Sequence, residues 1–277
     1  MASGKKNKGK PKNNAVKAAR GSVVTKKGTP WGTIIAVVAI LLLAVGVFGY
    51  YWIASGDQRA QRDREEAAAA FAPSEQNPDP SKDIKGVVTD TYEAGAHVLP
   101  TERVAYDKNP PYGGPHDGFW AACTGIVYPN AVRTENMVHS LEHGAVWIAY
   151  DPDKVQGDEL EKLKVRAEGK PFTMLSPYPG LDSPIALQSW GHQLKLENAD
   201  DERIDQFIAA LRRNANTYPE VGASCDALGP GAFDPDNPPP FDPSEPGPDA
   251  KGMDYKGSEG VQQDQPMGGQ PSPPAGG

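Results

Sequence analysis

The hydrophobic and polar positions divide the chain into one long apolar run and a mixed region that follows it. Residues 33–53 contain no charged residue, no proline and no Asn or Gln. At a rise of about 1.5 Å per residue, about 20 residues cross the hydrocarbon core of a bilayer. The pattern therefore predicts one transmembrane helix over residues 31–54. Residues 55–81, rich in helix formers and then in proline, predict a helical stalk and a linker.

Beyond the linker, short apolar runs and amphipathic segments alternate between residues 82 and 225, which is long enough for one hydrophobic core. Apolar runs predict strands, and apolar positions spaced by three and four predict helices. The predicted elements are strands at residues 145–150, 172–176 and 185–190 and helices at residues 157–168 and 200–216. This order predicts a compact α+β domain that is thioredoxin-like in its second half. Residues 83–128 predict short strands at most, and residues 226–277, rich in Pro and Gly, predict a disordered tail.

Charge is distributed unequally about the apolar run. Residues 1–30 contain nine Lys and Arg and no acid, whereas the whole chain has a formal net charge of −8. Because basic flanks stay in the cytoplasm, we expect residues 1–30 to be a disordered cytoplasmic tail and the domain to be extracytoplasmic, anchored in the plasma membrane. A cleaved signal peptide, with a cleavage site near residues 54–56, is the alternative. The acidic external region disfavours nucleic acid as a partner.

The two cysteines, Cys123 and Cys225, both follow the apolar run. Thiols outside the cytoplasm tend to be oxidised, and two cysteines allow one intrachain pair. Neither cysteine sits in a C-x-x-C motif, so a redox-active dithiol is not indicated. We expect a structural disulfide that contributes about 4–5 kcal/mol, with two free thiols as the alternative.

All five histidines lie in the predicted domain, and the densest group is in residues 135–144, ENMVHSLEHG. His139, Glu142 and His143 are spaced i, i+3 and i+4, so on a helix they share one face. Two imidazoles one turn apart are able to ligate a single metal ion. The alternative is that His139 and His143 pack at a helix–strand junction and bond to backbone carbonyls.

A proline-rich loop at residues 109–116 ends in His116 and would present that side chain to a pocket. Together with His139 and His143, it would complete a three-histidine site suited to zinc or copper, with Glu142 as an alternative ligand or a supporting group. The candidate thioether ligands for Cu(I) are Met137 and Met174, whereas His97 and His192 are interpreted as structural.

Residues 139–143 also spell H-x-x-E-H, the inverted zinc-protease motif, in which Glu142 would act as base on a metal-bound water. Gly144 and the strand after it end the helix sooner than that motif requires. No second helix offers a clear acidic ligand, with Glu161 and Glu168 as the remaining candidates. Enzymatic activity is therefore not the preferred interpretation.

Three motifs follow one another: PPYGGPH at residues 110–116, VHSLEHGA at residues 138–145 and WG at residues 190–191. This combination resembles the DUF3105 family, a domain of unknown function found in actinobacterial-type single-pass membrane proteins, over residues 82–225. The family pattern is a PP-x-SG-x-H loop, a VH-x-LEHG segment and a late WG, and Gly113 stands where the pattern has serine. The resemblance implies membrane anchoring and no particular activity. The positions of this chain that match the family's motifs are His116, His139, Glu142 and His143.

These observations lead to three functional hypotheses. The first is a membrane-anchored accessory protein that binds copper, zinc or a small ligand through its histidines. The second is a non-catalytic scaffold of the cell envelope that docks a membrane protein complex, and the third is a metal-dependent hydrolase. The lipid bilayer is a partner in all three.

Overall fold

The computed structural model describes residue 28 and residues 30–257 of the 277 residues. The chain divides into two compact units, residues 1–57 and residues 58–277. Helix α1 (Trp31–Ala68) includes an apolar stretch, Trp31–Trp52, of 22 residues with a mean hydropathy of 2.7. By length and composition this stretch could cross a membrane. Most of the predicted basic tail, residues 1–27, lies outside the described residues.

The second unit begins well before residue 82, where the domain was predicted to start. In the last turns of α1, Arg64 approaches Asp205 at 3.8 Å, and Glu65 accepts a hydrogen bond from Lys170 at 3.0 Å. The main-chain oxygen of Pro78, in the predicted linker, accepts a bond from Asn214 Nδ2 at 2.8 Å. The end of the stalk and the linker are therefore held on the domain by polar contacts.

The centre of this unit is a six-stranded sheet with the order β1-β8-β7-β5-β6-β4, and a separate parallel pair joins β2 to β3. The elements are β1 (Val88–Thr89), β2 (His97–Val98), β3 (His116–Asp117), β4 (Thr124–Val127), α2 (Thr134–Glu142), β5 (Val146–Tyr150), α3 (Gly157–Ala167), β6 (Thr173–Pro177), β7 (Ile185–Ser189), β8 (His192–Leu196) and α4 (Arg203–Leu211). The predicted α+β class is confirmed.

The sheet is mixed. Strand β5 pairs parallel with β6, to which α3 connects it, and antiparallel with β7. Strand β8 was not predicted; it pairs antiparallel with β7 through a turn at Gly191, whose φ is +71°. A Cβ at Gly191 would lie 2.7 Å from the Asp90 main-chain oxygen, so both the turn and the packing require glycine. The likeness to a thioredoxin-like fold stays a prediction.

Side chains alternate between the two faces of the sheet, as a pleated strand requires. Along β5, Val146, Ile148 and Tyr150 join a buried cluster with residues of α3 and α4, such as Leu163 and Phe207. Trp147 and Ala149 point into the second cluster, which includes the apolar residues of α2 and the disulfide. One face is thus covered by two helices, and the other by α2 and the loops around it.

The segment predicted as a disordered tail differs from that expectation over residues 226–257. Phe233 is fully buried, and Phe241 packs on the same core. The main chain of Lys251 forms a parallel β-bridge with that of Val104. The Arg103 guanidinium donates to the Ser244 main-chain oxygen at 2.9 Å. Two aromatic side chains and a few main-chain bonds hold this segment despite its Pro- and Gly-rich composition. Residues 258–277 lie outside the described residues.

Candidate metal centre

Strands β2 and β3 bring two histidines from distant parts of the sequence together. Their parallel register pairs His97 directly with His116. Parallel strands lie about 4.8 Å apart, so side chains at paired positions are neighbours. The two imidazole centroids are 4.9 Å apart, and His97 also stacks on His139 at 5.0 Å.

Helix α2 supplies the second half of the site. His139 and Glu142 lie one turn apart on it, and His143 is its C-cap. The Gly144 N–H bonds to the Leu141 oxygen at 2.9 Å and the Ala145 N–H to the Ser140 oxygen at 3.1 Å, which is the pattern of a Schellman motif. Gly144 has a φ of +88°, and a Cβ there would lie 2.6 Å from the Tyr218 ring. The LEHG sequence therefore ends the helix directly at Glu142 and His143.

Two groups of side chains have ligand atoms that all lie within 4.8 Å of one another. The inner set is His97, His116, His139 and Glu142, and each of these residues is at most 2% exposed. The outer set is His139, His143 and Glu220. Its Glu220 side chain is 23% exposed. His139 belongs to both sets, and its ring lies 4.7 Å from His116 and 4.6 Å from His143 between centroids.

Main-chain carbonyls fix the hydrogen on three of these rings. His116 Nδ1 lies 2.8 Å from the Gly114 oxygen, His139 Nδ1 lies 2.6 Å from the Asp117 oxygen, and His143 Nδ1 lies 2.6 Å from the Ser224 oxygen. A carbonyl oxygen only accepts, so in each ring Nδ1 must donate. In the neutral ring the lone pair then lies on Nε2. Metal-binding histidines are commonly oriented by such a bond from the other ring nitrogen.

Glu142 contacts both halves of the site. Its Oε1 accepts a hydrogen bond from the Gly95 N–H at 2.8 Å, and its Oε2 lies 2.7 Å from His116 Nε2. Within the described residues, neither Oε2 nor that Nε2 makes a hydrogen bond of ordinary geometry. Burial acts to raise the pKa of the Glu142 carboxyl, but the contact with the His116 ring, the Gly95 N–H and the nearby His139 ring outweigh it and lower the pKa. The carboxylate is thus held in its charged form inside the protein.

A buried ion pair fixes the His116 segment to the start of α2. The Asp117 carboxylate contacts the guanidinium of Arg133, the residue before the helix, and accepts a bond from the Phe119 N–H at 2.7 Å. Arg133 also donates to the Glu102 main-chain oxygen at 2.5 Å. Breaking such a pair leaves an uncompensated buried charge, so it holds β3 firmly against the helix that carries His139.

Two indole rings cover the histidines. The Trp190 ring lies 5.9 Å from His116, and the Trp120 ring lies 5.7 Å from His139 and 4.8 Å from His143, measured between centroids. Trp120 donates its indole N–H to the Asp226 main-chain oxygen at 2.9 Å. These rings keep water from the cluster, and in such surroundings charges interact more strongly than in water.

Cys123 and Cys225 form the expected disulfide, with a Cα–Cα distance of 4.7 Å and a sequence separation of 102. The Cys123 N–H also bonds to the Cys225 oxygen at 2.9 Å. Ser224, whose oxygen holds His143, is the residue before Cys225. The disulfide therefore fixes the backbone that orients the outer set.

The structure divides the three predicted ligands. It brings His116 and His139 together, and it places His143 on the other side of His139, beside Glu220. His97 was interpreted as structural from the sequence, yet it lies in the inner set. His192, also interpreted as structural, belongs to neither group; its Nδ1 bonds to the Trp190 oxygen at 2.6 Å.

The remaining candidates lie elsewhere. Met137 and Met174 are buried in the hydrophobic core. Met137 is two residues before His139, which puts it on the opposite side of α2. Glu161 pairs with Lys164 at 2.7 Å on α3. No sequence signal marked His97 or Glu220, because each joins the site through a contact between segments far apart in the chain.

Residues 97–227 match the family described as "Protein of unknown function (DUF3105)". The family that matches this part of the chain is the one that the motifs indicated. Searches of curated proteins and of solved structures returned no significant match.

Gly113, where the resemblance to the family implied a serine, is explained by its surroundings. A Cβ at this position would overlap the ring of Tyr92. Tyr92 in turn packs edge-on against Tyr112 and Trp190, with centroids 5.7 and 6.1 Å apart. In this chain an aromatic ring thus fills the space that a serine side chain would need, and the loop still delivers His116 to the site.

Proposed function

We propose that this domain binds one divalent transition-metal ion, Zn²⁺ or Cu²⁺, through the inner set of His97, His116, His139 and Glu142. The observation that carries the proposal is the convergence of three imidazoles and a carboxylate within 4.8 Å in a fully buried space. Buried charges are usually paired or bound to metal ions, and a cation in the inner set would pair with the Glu142 carboxylate.

The hydrogen-bond pattern supports a cation over a purely structural histidine cluster. His116 and His139 use Nδ1–H on main-chain carbonyls, so their neutral rings offer Nε2 lone pairs. The His116 lone pair then faces the Glu142 carboxylate at 2.7 Å. A cation between these two groups removes the repulsion between the lone pair and the carboxylate.

The ligand types favour Zn²⁺ or Cu²⁺ over Cu(I). The inner set contains nitrogen and oxygen ligands only, whereas Cu(I) prefers thiolates and thioethers. Four ligands at about 2.0–2.1 Å from a tetrahedral Zn²⁺ lie about 3.4 Å from one another. Separations of up to 4.8 Å therefore require a modest contraction of the cluster around the ion.

Burial favours binding over catalysis. Catalytic zinc sites keep a coordination position open to water or substrate, whereas closed sites with four protein ligands are structural. Glu142, the base of the hydrolase hypothesis, is in the ligand set, and His143 caps the helix. These features support a metal-binding accessory domain over a hydrolase.

The proposal includes an anchored position outside the cytoplasm. Support comes from the apolar Trp31–Trp52 stretch, from the basic residues before it and from the disulfide, since disulfides persist in oxidising compartments. Proteolysis of intact cells tests the topology. Cleavage of the domain from outside is expected, and full protection in cells whose wall admits the protease but whose plasma membrane is intact would contradict it.

A thioredoxin-like arrangement of the second half is retained as part of the proposal. It is supported by the parallel β5–α3–β6 unit, followed by the antiparallel strands β7 and β8 and by α4. A fold alone implies no activity, so this arrangement adds nothing to the choice of ligand.

Metal analysis of the purified full-length chain in detergent, after equilibration with Zn²⁺ and removal of excess, tests the metal proposal. We expect one Zn²⁺ per chain. His139→Ala is expected to weaken Zn²⁺ binding roughly 100-fold or more, since it removes a direct ligand and losses of 10–100-fold are typical for groups that only support a ligand.

His192→Ala is the matched control, because His192 makes the same kind of Nδ1 bond to a carbonyl outside both sets. It should leave Zn²⁺ binding unchanged. Failure of the wild-type chain to retain Zn²⁺ or Cu²⁺, or equal binding by His139→Ala, would remove the proposal.

A further inference from the structure

His143 and Glu220 lie beside the inner set without belonging to it. His143 Nε2 is 3.1 Å from Glu220 Oε2, and the Glu220 N–H bonds to the Glu142 main-chain oxygen at 3.3 Å. With His139 they form a second group of ligand atoms, two nitrogens and one carboxylate oxygen.

The two sets compete for the same atom. His139 uses Nδ1–H on the Asp117 oxygen, so it has only Nε2 for a metal ion. One Nε2 lone pair binds one ion at a time. The inner and outer sets therefore cannot be filled together, although a metal ion could pass between them while His139 stays bound.

The outer set is more exposed to solvent than the inner set. The inner ligands are at most 2% exposed and His143 is 1% exposed, whereas the Glu220 side chain is 23% exposed. Glu220 is thus the most exposed of these ligands. It lies at the outer end of a row of ligands that runs through His143 and His139 to the buried histidines of the inner set. A carboxylate at the mouth of a site raises the local concentration of cations.

We propose that His139, His143 and Glu220 form a transit site, through which a Zn²⁺ or Cu²⁺ ion enters the inner set. The ion is first bound by Glu220, His143 and His139. It then keeps His139 while His116, His97 and Glu142 replace Glu220 and His143. The step is ligand exchange alone, so the charge of the ion does not change and no oxidant or reductant is needed.

This inference rests on the proposed function but predicts a different result, because a transit site changes the rate of loading and not the final affinity. Co²⁺, whose visible absorption reports its ligands, is mixed rapidly with the metal-free full-length chain in detergent. Glu220→Gln is expected to load roughly 10-fold more slowly than wild type, with its equilibrium affinity within about 2-fold. His143→Gln is expected to behave in the same way.

Glu197→Gln is the control, because Glu197 is an exposed glutamate just after β8 and in neither set. It should load at the wild-type rate. Loading of Glu220→Gln at the wild-type rate overturns the transit site. A loss of affinity equal to the loss of rate also overturns it, since Glu220 would then be a resident ligand.

A second variant isolates the outer set. His116→Ala breaks the inner set and leaves the outer one intact, so it should retain weaker Co²⁺ binding that Glu220→Gln then abolishes. Saturation of wild type at two ions per chain would contradict the sharing of His139. Absence of any binding by wild type would remove the proposed function itself, which separates the two failures.

Discussion

The face of the sheet covered by α3 and α4 differs from the face covered by α2 in what fills the space against the strands. Behind α3 and α4 the contacts are aliphatic and aromatic, with Leu163, Ile204 and Phe207 packed on Ile148 and Leu187. On the α2 face, part of the buried volume is taken by four histidines and several carboxylates, including Glu142 and Asp117.

This difference indicates that the two faces have different roles, one in stability and the other in binding. Apolar burial stabilises a fold without a specific arrangement of charges, whereas buried imidazoles and carboxylates add cost unless they are paired. The α2 face meets that cost with an ion pair between Asp117 and Arg133, with bonds to main-chain carbonyls and with a disulfide. We therefore expect changes on the apolar face to alter stability alone and changes on the α2 face to alter metal binding as well.

Phe207→Ala should give the largest loss of stability. Phe207 is fully buried on α4, and truncating such a ring costs about 3–5 kcal/mol because it leaves a cavity. Chemical denaturation of the full-length chain measures the free energy of unfolding. Under native conditions its Zn²⁺ affinity should equal that of wild type, and a parallel loss of affinity would break the division between the two faces.

Replacing both Cys123 and Cys225 with serine should have the next largest effect. Loss of a disulfide typically costs about 2–4 kcal/mol, which is less than the about 4–5 kcal/mol that chain entropy alone gives for a loop of this length. This bridge fixes Ser224, the acceptor for His143, so loading with Co²⁺ should also slow. Stopped-flow and denaturation measurements on the same sample check both effects, and unchanged loading would show that the α2 face tolerates the loss.

Lys195→Met should have the smallest effect. Lys195 Nζ pairs with Asp182 at 2.7 Å, but the two side chains are 34% and 60% exposed. Such surface pairs contribute less than about 1 kcal/mol. Neither metal binding nor loading should change, and any effect on loading would mean that long-range charge matters more than the local ligands.

The apolar face could be predicted from the sequence because its periodicity is local. The helix predicted at residues 157–168 is α3, and the strand predicted at residues 145–150 is β5. The last helix is shorter than predicted and ends at Leu211. Shortly after it, Arg213 adopts a φ of +57°, a conformation that no helix continues through.

The candidate site could be predicted only in part. Helical spacing was enough to place His139 and Glu142 on one face of α2, and the proline-rich loop pointed to His116. His97 enters through the register of two strands of two residues each, which no local pattern encodes. Glu220 and the segment 226–257 depend likewise on contacts between distant parts of the chain.

The oxygens that orient His116, His139 and His143 all belong to the main chain, at Gly114, Asp117 and Ser224. No single side-chain replacement at those three positions deletes an acceptor, because every amino acid carries the same carbonyl. The path of the backbone, and not the neighbouring side chains, therefore sets the tautomers of these three rings. Replacement of Ser224 would therefore keep the acceptor of His143, whereas Gly114, with a φ of +98°, and Asp117, in its ion pair with Arg133, are constrained for other reasons.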